Sequence, residues 1–222
     1  MRLTVSRSSL TDAQSVLVAD ASVIISVNAT GHGIQIIKAL GNRVVVVDTV
    51  SGELEDGRQK NRRDADLLKK LVDGGQVEIV ELDPGGEAHF EQLVLGPAQS
   101  TLDDGEAATI AHAEAINGVA LIDERKANRI CAERFPKLGT ASTVDIFLHP
   151  NVQAELGKDS LVDAIFNALC NGRMRVLPQH ISWVVSLIGA DRARLCPSLP
   201  RTARFEKRNP EVAGGKKKRA RA

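Results

Sequence analysis

The sequence predicts an α/β fold, with βαβ units around a mostly parallel sheet and a set of helices at the C-terminal end. Three features predict it. Short, continuous, largely β-branched runs occur at Val16–Ala19, Val44–Val47 and Val119–Ile122, the pattern of strands buried on both faces. Stretches with apolar residues at helical spacing separate these runs, as βαβ units require. Each run ends directly in an aspartate, namely Asp20, Asp48 and Asp123.

Taken in order, residues 1–14 are polar and read as a flexible N-terminus, followed by the first strand. Ile34 to Leu40 is apolar enough for a buried helix, and Gly41-Asn42 stops it. After Val44–Val47 the spacing predicts one long charged helix over Ser51 to Val72, with Leu54, Leu67, Leu68, Leu71 and Val72 as its apolar positions and Gly74-Gly75 at its end. Gln76 to Leu82 alternates polar with apolar, which marks a half-buried or edge strand. Glu106 to Ile116 carries Ala107, Ile110, Ala111 and Ala113 at helical spacing and closes on Asn117-Gly118. The Val119–Ile122 strand and a helix over Arg125 to Phe135 follow, after which strands give out. Helices are expected over Ala141 to Leu148, Asp159 to Leu169 and Ile181 to Ile188. The main domain is therefore placed at 15–150 and a helical extension at 151–195. Residues 196–222 form a basic tail whose Pro, Gly and Lys content leaves too little apolar surface to fold alone.

Composition narrows the function classes. With 43% hydrophobic and 26% charged residues the chain has the make-up of a globular protein, and with 3% aromatics and no Tyr its core must come from Val, Leu, Ile and Ala. No apolar run reaches the roughly 18–20 residues of a membrane-crossing helix. The apolar stretch Val16 to Val27 carries Asp20 in its middle, unlike an export signal. Cys131, Cys170 and Cys196 are widely spaced and read as small buried hydrophobes in a reducing cytoplasm rather than as disulfide or zinc ligands. The net charge of +1 conceals an asymmetry: residues 201–222 hold nine Lys or Arg against two Glu, while the rest holds 20 basic against 26 acidic residues.

The acids carry the chemistry. In open parallel sheets ligands sit outside the carboxyl ends of the strands. Asp20 and Asp123 follow strand runs directly, so both emerge at that edge. Glu106 opens a helix feeding the Val119–Ile122 strand, and Glu53 opens the helix after Val44–Val47, which brings both to the same edge. Carboxylates gathered this closely resist ionising together, and a divalent cation offsets their charge. An oxygen-only ligand set suits magnesium or manganese. Asp103 and Asp104 have a simpler reading, as helix cap and dipole complement; for Glu106 capping and chemistry both stand open. Asp123 and Glu124 compete as the fourth ligand, and Glu55 and Asp56 compete with Glu53.

These residues resemble the PIN-domain ribonucleases. Val16 to Ile24 is similar to their opening strand and first acid, Val50-Ser51-Gly52-Glu53-Leu54 to the second acid, and Gly105-Glu106-Ala107 with Ile110 to Ala113 to the third, in a subgroup that has Glu there. Leu121 to Ala127 resembles the fourth, and Leu138-Gly139-Thr140 the strand that follows, so the resemblance spans about residues 15 to 150. It implies a doubly wound, three-layer α/β/α sandwich and a Mg2+- or Mn2+-dependent phosphodiesterase acting on single-stranded RNA. It also implies a link to VapC-type toxins, with a small antitoxin protein as partner.

On that reading Asp20, Glu53, Glu106 and Asp123 are catalytic, and Asp20, Glu106, Asp123 and Glu124 are the metal-ligand candidates. Ser22, Thr140 and Ser142 are candidates to support the metal site or the scissile phosphate, with helix capping the competing role. Arg125, with Lys126 and Arg129, and a second group at Arg58, Lys60, Arg62 and Arg63, are candidate RNA contacts or plain solvated helix faces. The tail Lys216 to Arg221 would attract phosphate non-specifically. The scarcity of aromatics argues against base-specific stacking. His112 reads as core or surface, and His32, His89, His149 and His180 show no metal spacing. Trp183 reads as helix packing, with a second subunit, and hence a homodimer, as one option. No phosphate-binding P-loop, dinucleotide loop or serine elbow occurs. The competing class is a catalytically inactive module of the same fold that binds RNA or protein through its tail and C-terminal helices.

Overall fold

The computed structural model describes residues 10, 12, 14–58 and 63–205. Lys60, Arg62 and the basic run at 216–221 fall outside the described residues. Five parallel strands form one sheet in the order β3-β2-β1-β4-β5, where β1 is Leu17–Ala19, β2 Val44–Val47, β3 Glu78–Val80, β4 Val119–Leu121 and β5 Gly139–Ala141. Every residue of β1, β2 and β4 is buried, as the unbroken apolar runs demand, while Glu78 and Ile79 of β3 are exposed at the edge.

The period-two alternation of the strands divides the core. Leu17, Ala19, Val44, Val46 and Leu121 point to one face, and Val18, Val45, Val47, Ala120 and Ile122 to the other. The first face is covered by α1 (Ala21–Ala29), α2 (Gly33–Leu40), α3 (Asp48–Arg58) and α4 (Asp64–Asp73). On the second face lie α5 (Pro84–Val94), α6 (Asp104–Ala115) and α7 (Arg125–Arg134). The result is the three-layer α/β/α sandwich. Beyond β5 the chain adds α8 (Thr143–Leu148), α9 (Pro150–Cys170), α10 (Ile181–Ile188), α11 (Ala190–Arg194) and α12 (Arg201–Arg204), and α8 to α10 extend the first core through Phe147, Ile165, Leu169 and Val184. Among the described residues no single helix is long and apolar enough to cross a membrane.

Several local expectations are revised. The helix expected over Ser51 to Val72 is two helices, α3 and α4. Between Leu54 and Leu67 the sequence offers only Ala65 as an apolar contact, so a continuous helix there would have no face to bury. α1 lacks helical periodicity because it is apolar almost all round. α5 is hidden behind Asp83-Pro84-Gly85-Gly86, which looks like a turn but works as a start: Asp83 Oδ1 accepts the Gly86 N–H at 2.7 Å and Pro84 occupies the first turn. α9 begins at Pro150 and bends at Gly157, whose φ of 68° departs from helix geometry. Leu10, Cys196 and Leu199 are buried, so the packed body extends past both 15 and 195.

Polar contacts tie the C-terminal extension to the sheet domain, among them one at the start of α8. Ser142 and Asp145 cap α8 reciprocally, with Ser142 Oγ donating to Asp145 Oδ2 at 2.7 Å, and His180 Nε2 stands 3.3 Å from the same oxygen. Burial pushes the Asp145 carboxyl up, but the bonds from His180 and Ser142 outweigh it, so it ionises below its ordinary range.

Candidate active site

The strand order places the crevice. The chain winds from β1 outward through β2 to β3, then crosses back to β4 on the other side of β1. The carboxyl ends of β1 and β4 are therefore the point at which the winding reverses, where ligands bind in open parallel sheets.

Asp20 is the first residue after β1. Its N–H donates to the Leu121 carbonyl of the neighbouring strand at 3.2 Å, which fixes it in this crevice. Its Oδ2 caps α1, accepting the Ser22 N–H at 3.1 Å and the Ser22 hydroxyl at 2.5 Å. The side chain is only 5% exposed. Burial pushes its carboxyl above the ordinary range, and the bonds from Ser22 offset this only in part.

Three further segments bring acids to Asp20. Asp103 is the N-cap of α6, accepting the Glu106 N–H at 3.3 Å, and its carboxylate also faces the cavity. Glu106 is pushed up to about 8, first by burial and then by the charges of Asp103 and Asp20. Glu53 reaches across from α3, where its Oε1 accepts the Gly105 N–H at 2.9 Å. Its carboxyl is raised by burial and by Asp20, Asp103 and Asp104. Glu55 instead pairs with Arg58 at 3.2 Å, and Asp56 is exposed, so Glu53 alone of the three faces the crevice. It sits in the second turn of α3 rather than opening the helix.

Gly105 makes the approach of Glu53 possible. A Cβ there would lie 2.5 Å from Glu53 Oε2 and 2.7 Å from its carboxyl carbon. The obstructed group is the end of a flexible side chain, so Gly105→Ala should displace Glu53 without unfolding the protein. On the ribonuclease reading that the resemblance implies, the expected result is about a tenfold loss of cleavage rate, on the order of 1.4 kcal/mol, with an almost unchanged melting temperature. Parallel cleavage assays and thermal melts check it.

Asp123 and Glu124 separate in the structure. Asp123 is 1% exposed and both its oxygens are engaged by Thr143, Oδ1 by the N–H at 2.8 Å and Oδ2 by the hydroxyl at 2.7 Å. Burial pushes it up to about 6 despite those bonds, with Asp20 and Asp145 adding to the shift. Asp123 thus lies close enough to Asp20 to feel its charge, but behind the cavity wall. Glu124 is the one that lines the cavity, where it pairs with Arg175.

The cavity has a volume of about 500 Å³. Asp20, Glu53, Asp103, Glu106 and Glu124 supply its acids, and Lys126, Arg173 and Arg175 its cations. Several expected supporting residues lie elsewhere. Thr140 sits in mid-strand opposite Ala120, Ser142 is spent on the α8 cap, and Arg125 is an exposed residue outside the lining. Ser22 does line the cavity, and it bonds to Asp20. The cap position of Asp103 hides from the sequence that it also lines the cavity. Arg173 and Arg175 were missed because they follow a helix in the distant extension; the alternation Arg173-Met174-Arg175-Val176, basic outside and apolar inside, was the available signal.

Among the described residues no three His, Cys, Asp or Glu side chains are drawn together as a finished coordination sphere. The donor chemistry nonetheless fits a hard divalent cation. Among the described residues lining the cavity the anionic groups are all carboxylates, and the mutual charge effects of Asp20, Glu53, Asp103 and Glu106 leave a shortage of positive charge.

A family model described as PIN domain (DUF3368) matches residues 16–190. Among solved structures, VapBC2 from Rickettsia felis bound to a DNA fragment from their promoter matches with 16% identity and a TM-score of 0.42, covering 57% of this chain and 98% of that one. No curated protein matches.

Proposed function

Since the chain belongs to the PIN-domain family, we propose that it is a Mg2+- or Mn2+-dependent endoribonuclease that hydrolyses phosphodiester bonds of single-stranded RNA. The observation that carries this reading is the meeting of five carboxylates from four separate chain segments in one cavity at the strand crossover, with cations on the rim.

Asp20, Glu53, Glu106 and Glu124 would hold the cation, with Asp20 at the centre because it is the acid built into the end of the middle strand. A bound divalent cation supplies an acidified water and offsets charge on the phosphoryl oxygens. The chain's own contribution is placement. Ser22 fixes the rotamer of Asp20, the Gly105 N–H seats Glu53, and Asp103 orients the first turn that carries Glu106. Asp123 acts as a positioning residue. By gripping both the N–H and hydroxyl of Thr143 it locks the start of α8 to the end of β4, and so fixes the backbone from which Glu124 projects.

The test is incubation of the protein with end-labelled single-stranded RNA in Mg2+, in Mn2+ and in EDTA. Internal cleavage in metal and none in EDTA is expected. Cleavage in EDTA would refute the metal dependence, and intact RNA under every condition would favour the inactive module. A toxin role, with a small antitoxin protein as neutralising partner, belongs to the same proposal, as does a cytoplasmic setting in which Cys131, Cys170 and Cys196 remain thiols.

A further inference from the structure

The cavity poses an electrostatic problem, because a floor of carboxylates repels a polyanionic substrate. We infer that the segment Gly172–Arg175 is a substrate-binding arm whose Arg173 and Arg175 guanidinium groups grip RNA phosphates beside the acid cluster. This inference rests on the nuclease reading of the cavity.

The arm is built to be rigid at its root and charged at its tip. Gly172 is wedged against α1, the helix that Asp20 caps: a Cβ there would lie 2.8 Å from the Ala168 carbonyl, 3.0 Å from Ala29 Cβ and 3.1 Å from Ser26 Cα. Arg173 follows with a φ of 52°, a left-handed conformation uncommon outside glycine. Met174 is buried and its N–H donates to the Ala168 carbonyl at 2.9 Å, and Val176 is buried as well. With 174 and 176 anchored inward, 173 and 175 are turned outward, and both line the cavity. Such a backbone holds two long cations beside the acids without relying on their own side-chain packing.

The chemistry of the two groups suits phosphate. A guanidinium is a planar fork that binds phosphate oxygens in pairs, and it stays charged at any working pH. Arg175 pairs with Glu124 in the structure while its own side chain remains 64% exposed, so its guanidinium is open to a phosphate, and the Glu124 carboxylate it would release is one of those placed to hold the cation. Lys126, on the same rim, is already committed to the Ala98 carbonyl at 2.8 Å, which leaves the two arginines as the groups for this task.

The experiment measures binding apart from cleavage. Full-length protein in EDTA is titrated into a short fluorescein-labelled single-stranded RNA, and anisotropy is followed over a series of salt concentrations. Arg173→Ala and Arg175→Ala should each weaken binding about tenfold and reduce the slope of log K against log salt by about 0.7 per lost charge. Arg175→Lys should restore the slope but only part of the affinity. Arg43→Ala serves as control, because Arg43 precedes β2 at the opposite end of the strands and pairs with Glu78; its binding should match the wild type. Thermal melts confirm that each variant is folded.

Wild-type affinity and slope in both arginine variants would overturn the inference, as would the absence of RNA binding by every form. The two readings fail separately. Cleavage in metal by wild type, with unchanged binding by the arginine variants, removes the arm and leaves the nuclease. Weakened binding by the variants, with no cleavage by wild type in either metal, keeps the arm and removes the nuclease.

Discussion

Asp20→Asn is expected to abolish RNA cleavage, with a loss of about a thousandfold or more in rate, or roughly 4 kcal/mol of barrier, and to leave the protein at least as stable as wild type. The two halves of this result have one cause. Asp20 is desolvated at the end of β1 and receives only partial compensation, from Ser22 and from the Ala21 backbone, so its charge costs the fold something that a purely structural residue would not. Asn keeps the α1 cap, since its side-chain oxygen accepts the same Ser22 N–H. The pH dependence gives the sign. The folded carboxyl is raised above its ordinary value, so the stability it contributes is complete below the ordinary carboxylate range and is lost as pH climbs through the folded pKa. Thermal melts in EDTA should therefore show the variant gaining on wild type as pH rises from 4 to 8. A variant that cuts RNA normally would exclude Asp20 from the chemistry, and one that melts well below wild type at pH 8 would make it a structural residue.

How much of this was legible in the sequence depends on how local the cause is. The strands at Leu17–Ala19, Val44–Val47 and Val119–Leu121 could be read because burial on both faces forces an unbroken apolar run. Asp20 and Glu106 could be placed at the cavity because a strand end and a helix start position them before any tertiary contact is known, whereas Glu53 reaches it from the second turn of α3 and not from the helix start that the sequence suggested. What escaped needed a neighbour from elsewhere in the chain. Adjacent acids at 123 and 124 are indistinguishable by pattern, and it is Thr143, twenty residues away, that takes Asp123 out of the cavity and leaves Glu124 in it. Arg173 and Arg175 enter from beyond α9, on a segment whose position is set by the close contact of Gly172 with α1. The division of the 51–72 region was readable in retrospect, as the gap between Leu54 and Leu67 leaves a helix nothing to bury.

A divalent cation should stabilise the protein, and the stabilisation should grow with pH. With no cation bound, the Glu106 carboxyl is pushed up to about 8 and that of Asp123 to about 6, both chiefly by burial. Raised carboxyls contribute stability that is fully present below about pH 4 and is withdrawn as pH rises through 6 and then 8, as each group must ionise in a site that resists charge. A cation reverses that penalty but must displace the remaining proton to do so. At pH 8.5 little proton competition is left at Glu106, whereas at pH 6 the cation binds against it. With Mn2+ at about a hundred times its dissociation constant, linkage gives roughly 2.7 kcal/mol, which for a chain of this size is a rise of roughly 5–10 °C in melting temperature. That rise is expected at pH 8.5 and a clearly smaller one at pH 6 at the same Mn2+ concentration, by scanning calorimetry. Glu106→Gln should flatten the pH dependence in EDTA and reduce the rise at pH 8.5, because the amide neither ionises nor offers a carboxylate. An equal rise at both pH values in wild type would remove Glu106 from the ligand set, because a ligand that titrates near 8 cannot bind metal independently of pH across that range.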